Sequence, residues 1–125
     1  MEPHEEWLFK ANQDLESSKV LLQSTNPLFD ISIYHTQQCA EKSLKAFMAY
    51  HRKEINKIHN LISLLDKCTK IDPAFSELYD DCIYLNPFAT LYRYPEGDLM
   101  PNRDDVDMAI ESTSRIIEYV SDKIR

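Results

Sequence analysis

The chain has 125 residues, of which 43% are apolar and 28% charged, and a formal net charge of −7 at pH 7. That is one domain's worth of sequence, long enough to bury a core without staples, so residues 1–125 are read as a single domain. The single glycine, Gly97, excludes a phosphate-binding P-loop and a dinucleotide fingerprint, both of which need several glycines, and argues against a hairpin-rich β architecture.

The acidic excess argues against a general grip on nucleic acid or an anionic membrane but leaves room for a local basic patch. Cys39, Cys68 and Cys82 are odd in number and lack CxxC spacing, so neither a disulfide framework nor a zinc knuckle is indicated. Reduced thiols in a cytoplasm are expected. No apolar run approaches the ~18 residues of a membrane span, and the acidic start does not resemble a signal peptide. The expectation is a soluble, cytoplasmic protein with no membrane partner.

The first helix is predicted to begin near Pro3. Trp7, Leu8, Ala11, Leu15, Ser18 and Leu22 recur at helical spacing, with Lys10, Gln13, Asp14 and Lys19 assigned to the outer face, and Asn26-Pro27 ends it. Asp30 is the expected N-cap of a second helix running to about Tyr50, with Ile33, Gln37, Ala40, Leu44 and Phe47 forming a bundle seam. A shorter third helix is predicted from about His59, with Leu61, Leu64, Leu65 and Cys68 on one face, broken by Asp72-Pro73. A fourth carries Phe75, Leu78, Tyr79, Cys82 and Leu85 and stops at Asn86-Pro87. The loop from Phe88 to Pro101 is long for a compact bundle, and long ordered loops carry function disproportionately often. Asn102 with Asp105 forms an approximate capping box for the last helix. Val106, Ala109, Ile110, Thr113, Ile116, Ile117, Val120 and Ile124 give it a clean apolar stripe. The fold expected is an all-α, antiparallel up-and-down bundle of about five helices, three long and two short.

No metal site is expected. The chain has no Glu-x-x-His pair, and Asp104, Asp105 and Asp107 suit the dipole at a helix start better than a calcium loop. No resident cofactor is indicated. In the second helix, Gln37 stands on the apolar seam, where a polar side chain needs a hydrogen-bond partner. Gln38, Lys42 and Lys45 line a neighbouring face, and Glu41 precedes Lys45 by four residues, the favourable order for an ion pair. This is either a buried glutamine with a surface salt bridge, or a polar row facing phosphate. His59, at a helix start, suits a neutral imidazole acting as a cap or hydrogen-bond partner. Arg93 lies between two tyrosines, suited either to phosphate contact or stacking or to tying down its own loop. Tyr94-Pro95 favours extended backbone there.

The run from Tyr34 through Gln37-Gln38, Ala40, Glu41-Lys42, Leu44-Lys45 to Ala46 resembles the second-helix signature of the HEPN domain family. His59-Asn60-Leu61 is similar to that family's opening of the third helix, and Arg93-Tyr94-Pro95 to its third landmark. The resemblance spans Trp7 to Ile124 and implies an all-α bundle, often a homodimer, associated with nucleotide or RNA binding. It also implies a minimal nucleotidyltransferase as partner and, in a toxin branch, ribonuclease activity from an Arg followed by His after four to six residues. Here no histidine follows His59, and Arg52 to His59 falls between helices two and three, so cleavage by that motif is not expected and no catalytic residue is assigned.

Three functions follow in order: a nucleotide- or RNA-phosphate-binding module working with a nucleotidyltransferase, a structural homodimerisation or protein-interaction bundle, and a nuclease with a non-standard site. The binding site is expected where Gln38, Lys42 and Lys45 meet His59 and the Arg93 loop, with Gln37, Glu41, Tyr94 and Pro95 as framework. Positive charge between Glu41 and His59 and six acids from Glu96 to Glu111 divide the surface.

Overall fold

The structure, a computed structural model, describes residues 1–55, 57–95 and 99–124. Glu96, Gly97 and Asp98 of the long loop lie outside the described residues. The described residues form five α-helices: α1 Pro3–Gln23, α2 Phe29–Tyr50, α3 Leu61–Ile71, α4 Tyr79–Leu85 and α5 Arg103–Lys123. Two 3-10 helices, Pro73–Leu78 and Asn86–Ala89, flank α4. Among the described residues there is no strand, and the expected antiparallel helical bundle is the observed one.

Helix ends follow local chemistry, with two corrections. Pro3 opens α1 behind a capping box of Glu2 and Glu5. Asp30 is not the N-cap of α2. Leu28 holds that position, and its carbonyl already accepts from the Ser32 N–H at 2.8 Å, so Asp30 sits in the first turn, where the helix dipole favours a carboxylate. His59 does not cap α3 either. Asn60 does, its Oδ1 accepting from the backbone N–H groups of Ile62 (2.9 Å) and Ser63 (3.1 Å). The predicted fourth helix is a 3-10 turn, one α segment and a second 3-10 turn. Pro73 opens the first 3-10 piece and Pro87 stands second in the other; neither can donate to a preceding carbonyl, which divides the stretch. At α5 the expected capping box is present, Asn102 and Asp105 exchanging bonds of 2.8 and 3.0 Å. Replacing Asn102 with alanine should lower stability by about 1 kcal/mol in urea unfolding.

The central element is α2, with 13 of its 22 residues buried, so it has neighbours nearly all round and no broad solvent face. It packs on α1, α3 and α5. Trp7 meets Lys45, Asp14 meets Lys42 and His35, and the Ser18 carbonyl accepts from Ser32, so α1 and α2 run antiparallel. Small polar side chains let backbones approach: Ser32 Oγ donates to the Ser18 carbonyl at 2.6 Å and Thr113 Oγ1 to the Thr36 carbonyl at 2.7 Å. Val106, Ala109, Ile116, Ile117 and Val120 of α5 are buried within the chain's own core. The clean apolar stripe of the last helix is therefore covered by the chain's own packing. The three cysteines are buried and free, and burial pushes Cys39 up to about 11 and Cys68 and Cys82 to about 12, leaving unreactive thiols. No described helix is long and apolar enough to cross a membrane.

Candidate functional site

Side chains named in the expected binding row separate into two clusters along α2. The first is built around Asp14, which the α1 pattern had placed outward and which is buried. Its Oδ1 accepts from His35 Nδ1 at 2.8 Å and its Oδ2 from Lys42 Nζ at 2.6 Å. His35 and Lys42 stand two turns apart on α2, so one carboxylate from α1 can bridge them. Burial alone would raise the Asp14 pKa; the hydrogen bonds from His35 and Lys42 outweigh it and hold the carboxyl below its ordinary 3.8.

A native pKa below the unfolded value stabilises the fold above that unfolded value, and the stabilisation is lost as pH falls through the native one. Urea midpoints should therefore hold from neutral pH to about 5 and fall in more acidic solution. Asp14→Asn should flatten part of that fall. Asp72, held low by hydrogen bonds from Lys123 and the Ala74 N–H, leaves the remainder.

Arg93 lies beside this cluster. Its guanidinium stacks over the Tyr34 ring, 4.7 Å from the centroid, and Tyr34 packs edge-on against His35 at 5.5 Å. The Arg93 loop is pinned by Phe88, which meets Tyr84 edge-on and stacks with Tyr92 at 5.9 Å. Arg93 is exposed and has no carboxylate partner among the described residues. A cavity of about 340 Å³ opens there, lined by Asp30, Ile31, Tyr34, His35, Tyr92 and Arg93. Beyond His35 lies a larger one of about 720 Å³, with Lys10, Gln13, Asp14 and Lys42 in its wall. The two share His35 and so form neighbouring compartments along the α1–α2 surface.

The second cluster holds Gln37, Gln38, Glu41, Lys45 and His59. Gln37 is fully buried, accepting from Gln38 Nε2 at 2.8 Å and donating to the His59 carbonyl at 3.4 Å. Glu41 Oε2 accepts from Lys45 Nζ at 3.0 Å and from His59 Nδ1 at 3.1 Å. The Lys45 side chain is 6% exposed and covered by Trp7. It has no free face for a phosphate, because α1 packs over the side of α2 that the sequence reading left to solvent. His59 keeps 69% of its side chain exposed, with Nε2 left over once Nδ1 is bonded. Tyr94, 63% exposed, and Pro95 lie at the edge of the described loop and line neither cavity.

Sequence reasoning missed Asp14, Tyr34 and His35. Their signal was spacing: Asp14 falls three residues after Ala11 and four before Ser18, on the buried stripe itself. Among the described residues no group of three or more His, Cys, Asp or Glu is placed to hold a metal ion.

Comparison with known proteins fits this framework. The crystal structure of ST0689, an archaeal HEPN homologue, superposes with a TM-score of 0.80 at 24% identity, covering 100% of both chains. The crystal structure of TT1696 from Thermus thermophilus gives 0.85 at 21% identity over 98% of this chain and 99% of that one. In sequence, the chain is 25% identical to the Methanocaldococcus jannaschii protein named "Putative toxin MJ1304", over 93% of this chain and 84% of that protein. The sequence profile of the HEPN domain matches residues 4–123, nearly the whole length, and the chain therefore belongs to the HEPN domain family.

Proposed function

We infer that this chain is a phosphate-binding module for nucleotide or RNA, working in a toxin–antitoxin type of pair with a nucleotidyltransferase. The observation that carries the binding reading is Arg93: an exposed guanidinium stacked on Tyr34, without a carboxylate partner among the described residues, at the mouth of a cavity that adjoins Lys42 and His35. Stacking preorganises the guanidinium while leaving its N–H edge for phosphate oxygens. The aromatic side chains of Tyr34 and Tyr92 offer a surface on which a base can stack. With no glycine-rich loop, side chains must supply the grip, and the −7 chain needs them gathered locally. Family membership and the likeness to a protein named as a toxin support the pairing. Arg93→Ala should weaken binding of a short single-stranded RNA or of ATP at this groove by about tenfold or more without changing the helical signal. Equal binding by wild type and variant would reject the groove.

A second reading has its own observation. Glu41 holds His59 Nδ1 while most of the imidazole stays exposed, which leaves Nε2 to act as a general acid–base group. RNA cleavage by purified protein, lost in His59→Ala, would support a nuclease at that site. Homodimerisation also belongs to the proposal, and the exposed Tyr79 and Ile83 of α4 are apolar surface a second copy would cover. Light scattering at micromolar concentration should then give twice the 14.7 kDa chain mass.

A further inference from the structure

At the opposite end of α2 from Tyr34 and His35, a third cavity of about 550 Å³ is lined by Met48, His51, Lys53, Glu54, Lys67, Lys70 and Ile71. It shares no residue with the groove described above. We propose that this cavity is a second anion site, which holds a chain of linked phosphates through Lys53, Lys67 and Lys70.

Charge carries the argument first. Lys42, Lys45, Arg115 and Lys123 each have a carboxylate within ion-pair distance. Among the described residues Lys53, Lys67 and Lys70 have none, although all three line one cavity. A protein of net charge −7 has leftover acid elsewhere, so three lysines without an ion pair among the described residues, lining one cavity with one glutamate, make a local positive well. Like charges facing one concavity repel one another, and a polyanion relieves that repulsion.

Backbone geometry is the second, independent observation. Among the described residues, Arg52 is the non-glycine residue with positive φ, at 56°, a left-handed conformation that is costly for an ordinary side chain. The turn it makes brings the Lys53 N–H back to the Met48 carbonyl at 2.9 Å, which returns Lys53 to the end of α2 and into the cavity wall. Lys67 and Lys70, three residues apart on α3, share one helical face opposite it. The His51 ring is held by an edge contact with Phe47 at 4.6 Å. Glycine would make this turn without strain, yet the chain places arginine there.

Lysine ammoniums are point charges without the planar fork that selects a carboxylate, and they suit phosphate oxygens spread over several groups. A cavity of this size matches a small ligand. Linked phosphates come as inorganic polyphosphate or as the tail of a nucleoside triphosphate. Tripolyphosphate, ATP and inorganic monophosphate should therefore be titrated calorimetrically against wild type, the Lys67→Gln/Lys70→Gln double variant and Arg93→Ala.

Tripolyphosphate should bind wild type at least about tenfold more tightly than monophosphate, and the double variant should lose about tenfold or more. The tripolyphosphate binding that the lysine double variant loses should persist in Arg93→Ala, so failure of the groove and failure of this cavity are separable. In Arg93→Ala, whose groove is disabled, ATP binding more tightly than tripolyphosphate would support a nucleotide source, with Ile71 beneath the nucleoside; equal affinity would support the phosphates alone. Absence of tripolyphosphate binding, equal binding by the double variant, or equal affinity for monophosphate would overturn the proposal. Both lysines are exposed, and an unchanged melting curve of the double variant excludes unfolding as the cause.

Discussion

Replacing Glu41 with alanine should destabilise the protein by about 3–5 kcal/mol, because it strands a buried ammonium. As a surface pair at i,i+4, Glu41 and Lys45 would contribute about 0.3–0.5 kcal/mol. In the fold the two side chains are 5% and 6% exposed, and Trp7 lies over the ammonium at 5.4 Å. Water cannot replace the lost carboxylate there. The carboxylate is itself incompletely used: Oε2 serves both Lys45 and His59, while Oε1 is buried without a hydrogen-bond partner among the described residues. Breaking such a pair from one side costs far more than removing it whole. The double variant Glu41→Ala/Lys45→Met should therefore recover most of the lost stability. A loss under about 1 kcal/mol for Glu41→Ala would show that the pair is solvated and worth no more than a surface one.

Phe75→Ala should lower stability by a similar amount, about 3–5 kcal/mol, through the cavity it leaves. Phe75 is fully buried, its ring 4.2 Å from that of Phe47 on α2 and 5.0 Å from Tyr119 on α5, centroid to centroid. One side chain from a 3-10 turn thus joins two long helices. Phe75→Leu keeps much of the volume and should cost less than about 1.5 kcal/mol. Urea midpoints of the two variants would check the order. Phe75 lines neither of the α1–α2 groove cavities, so RNA binding by whatever variant stays folded should be unchanged.

The helices were legible because one-sided apolar repeats and caps are local. The α5 stripe and the Asn102–Asp105 box are both where spacing placed them, and the α2 seam of Ile33, Gln37, Ala40, Leu44 and Phe47 is buried throughout. The split of the fourth segment was not legible. Over one or two turns, apolar positions at steps of three and four fit a 3-10 turn as well as an α-helix. Side-chain roles were harder still. A single-helix pattern assigns a polar residue to the outside, but α2 has helices on most sides, so Lys45 became buried while Lys42 stayed half-buried on Asp14. Asp14 itself looked outward because a charged side chain was assigned to solvent although it falls between Ala11 and Ser18 of the stripe. Its partners lie 21 and 28 positions away, a distance at which no local pattern speaks.

The central claim, that phosphate is held along the α1–α2 surface beside the Arg93 loop, is tested most directly by mapping NMR chemical shifts while a short single-stranded RNA is added. The account predicts that the largest changes cluster on Tyr34, His35, Lys42 and Arg93, and that they fade as salt is raised because phosphate contacts are screened. No change at these four residues at RNA concentrations that perturb or saturate other parts of the protein would contradict it.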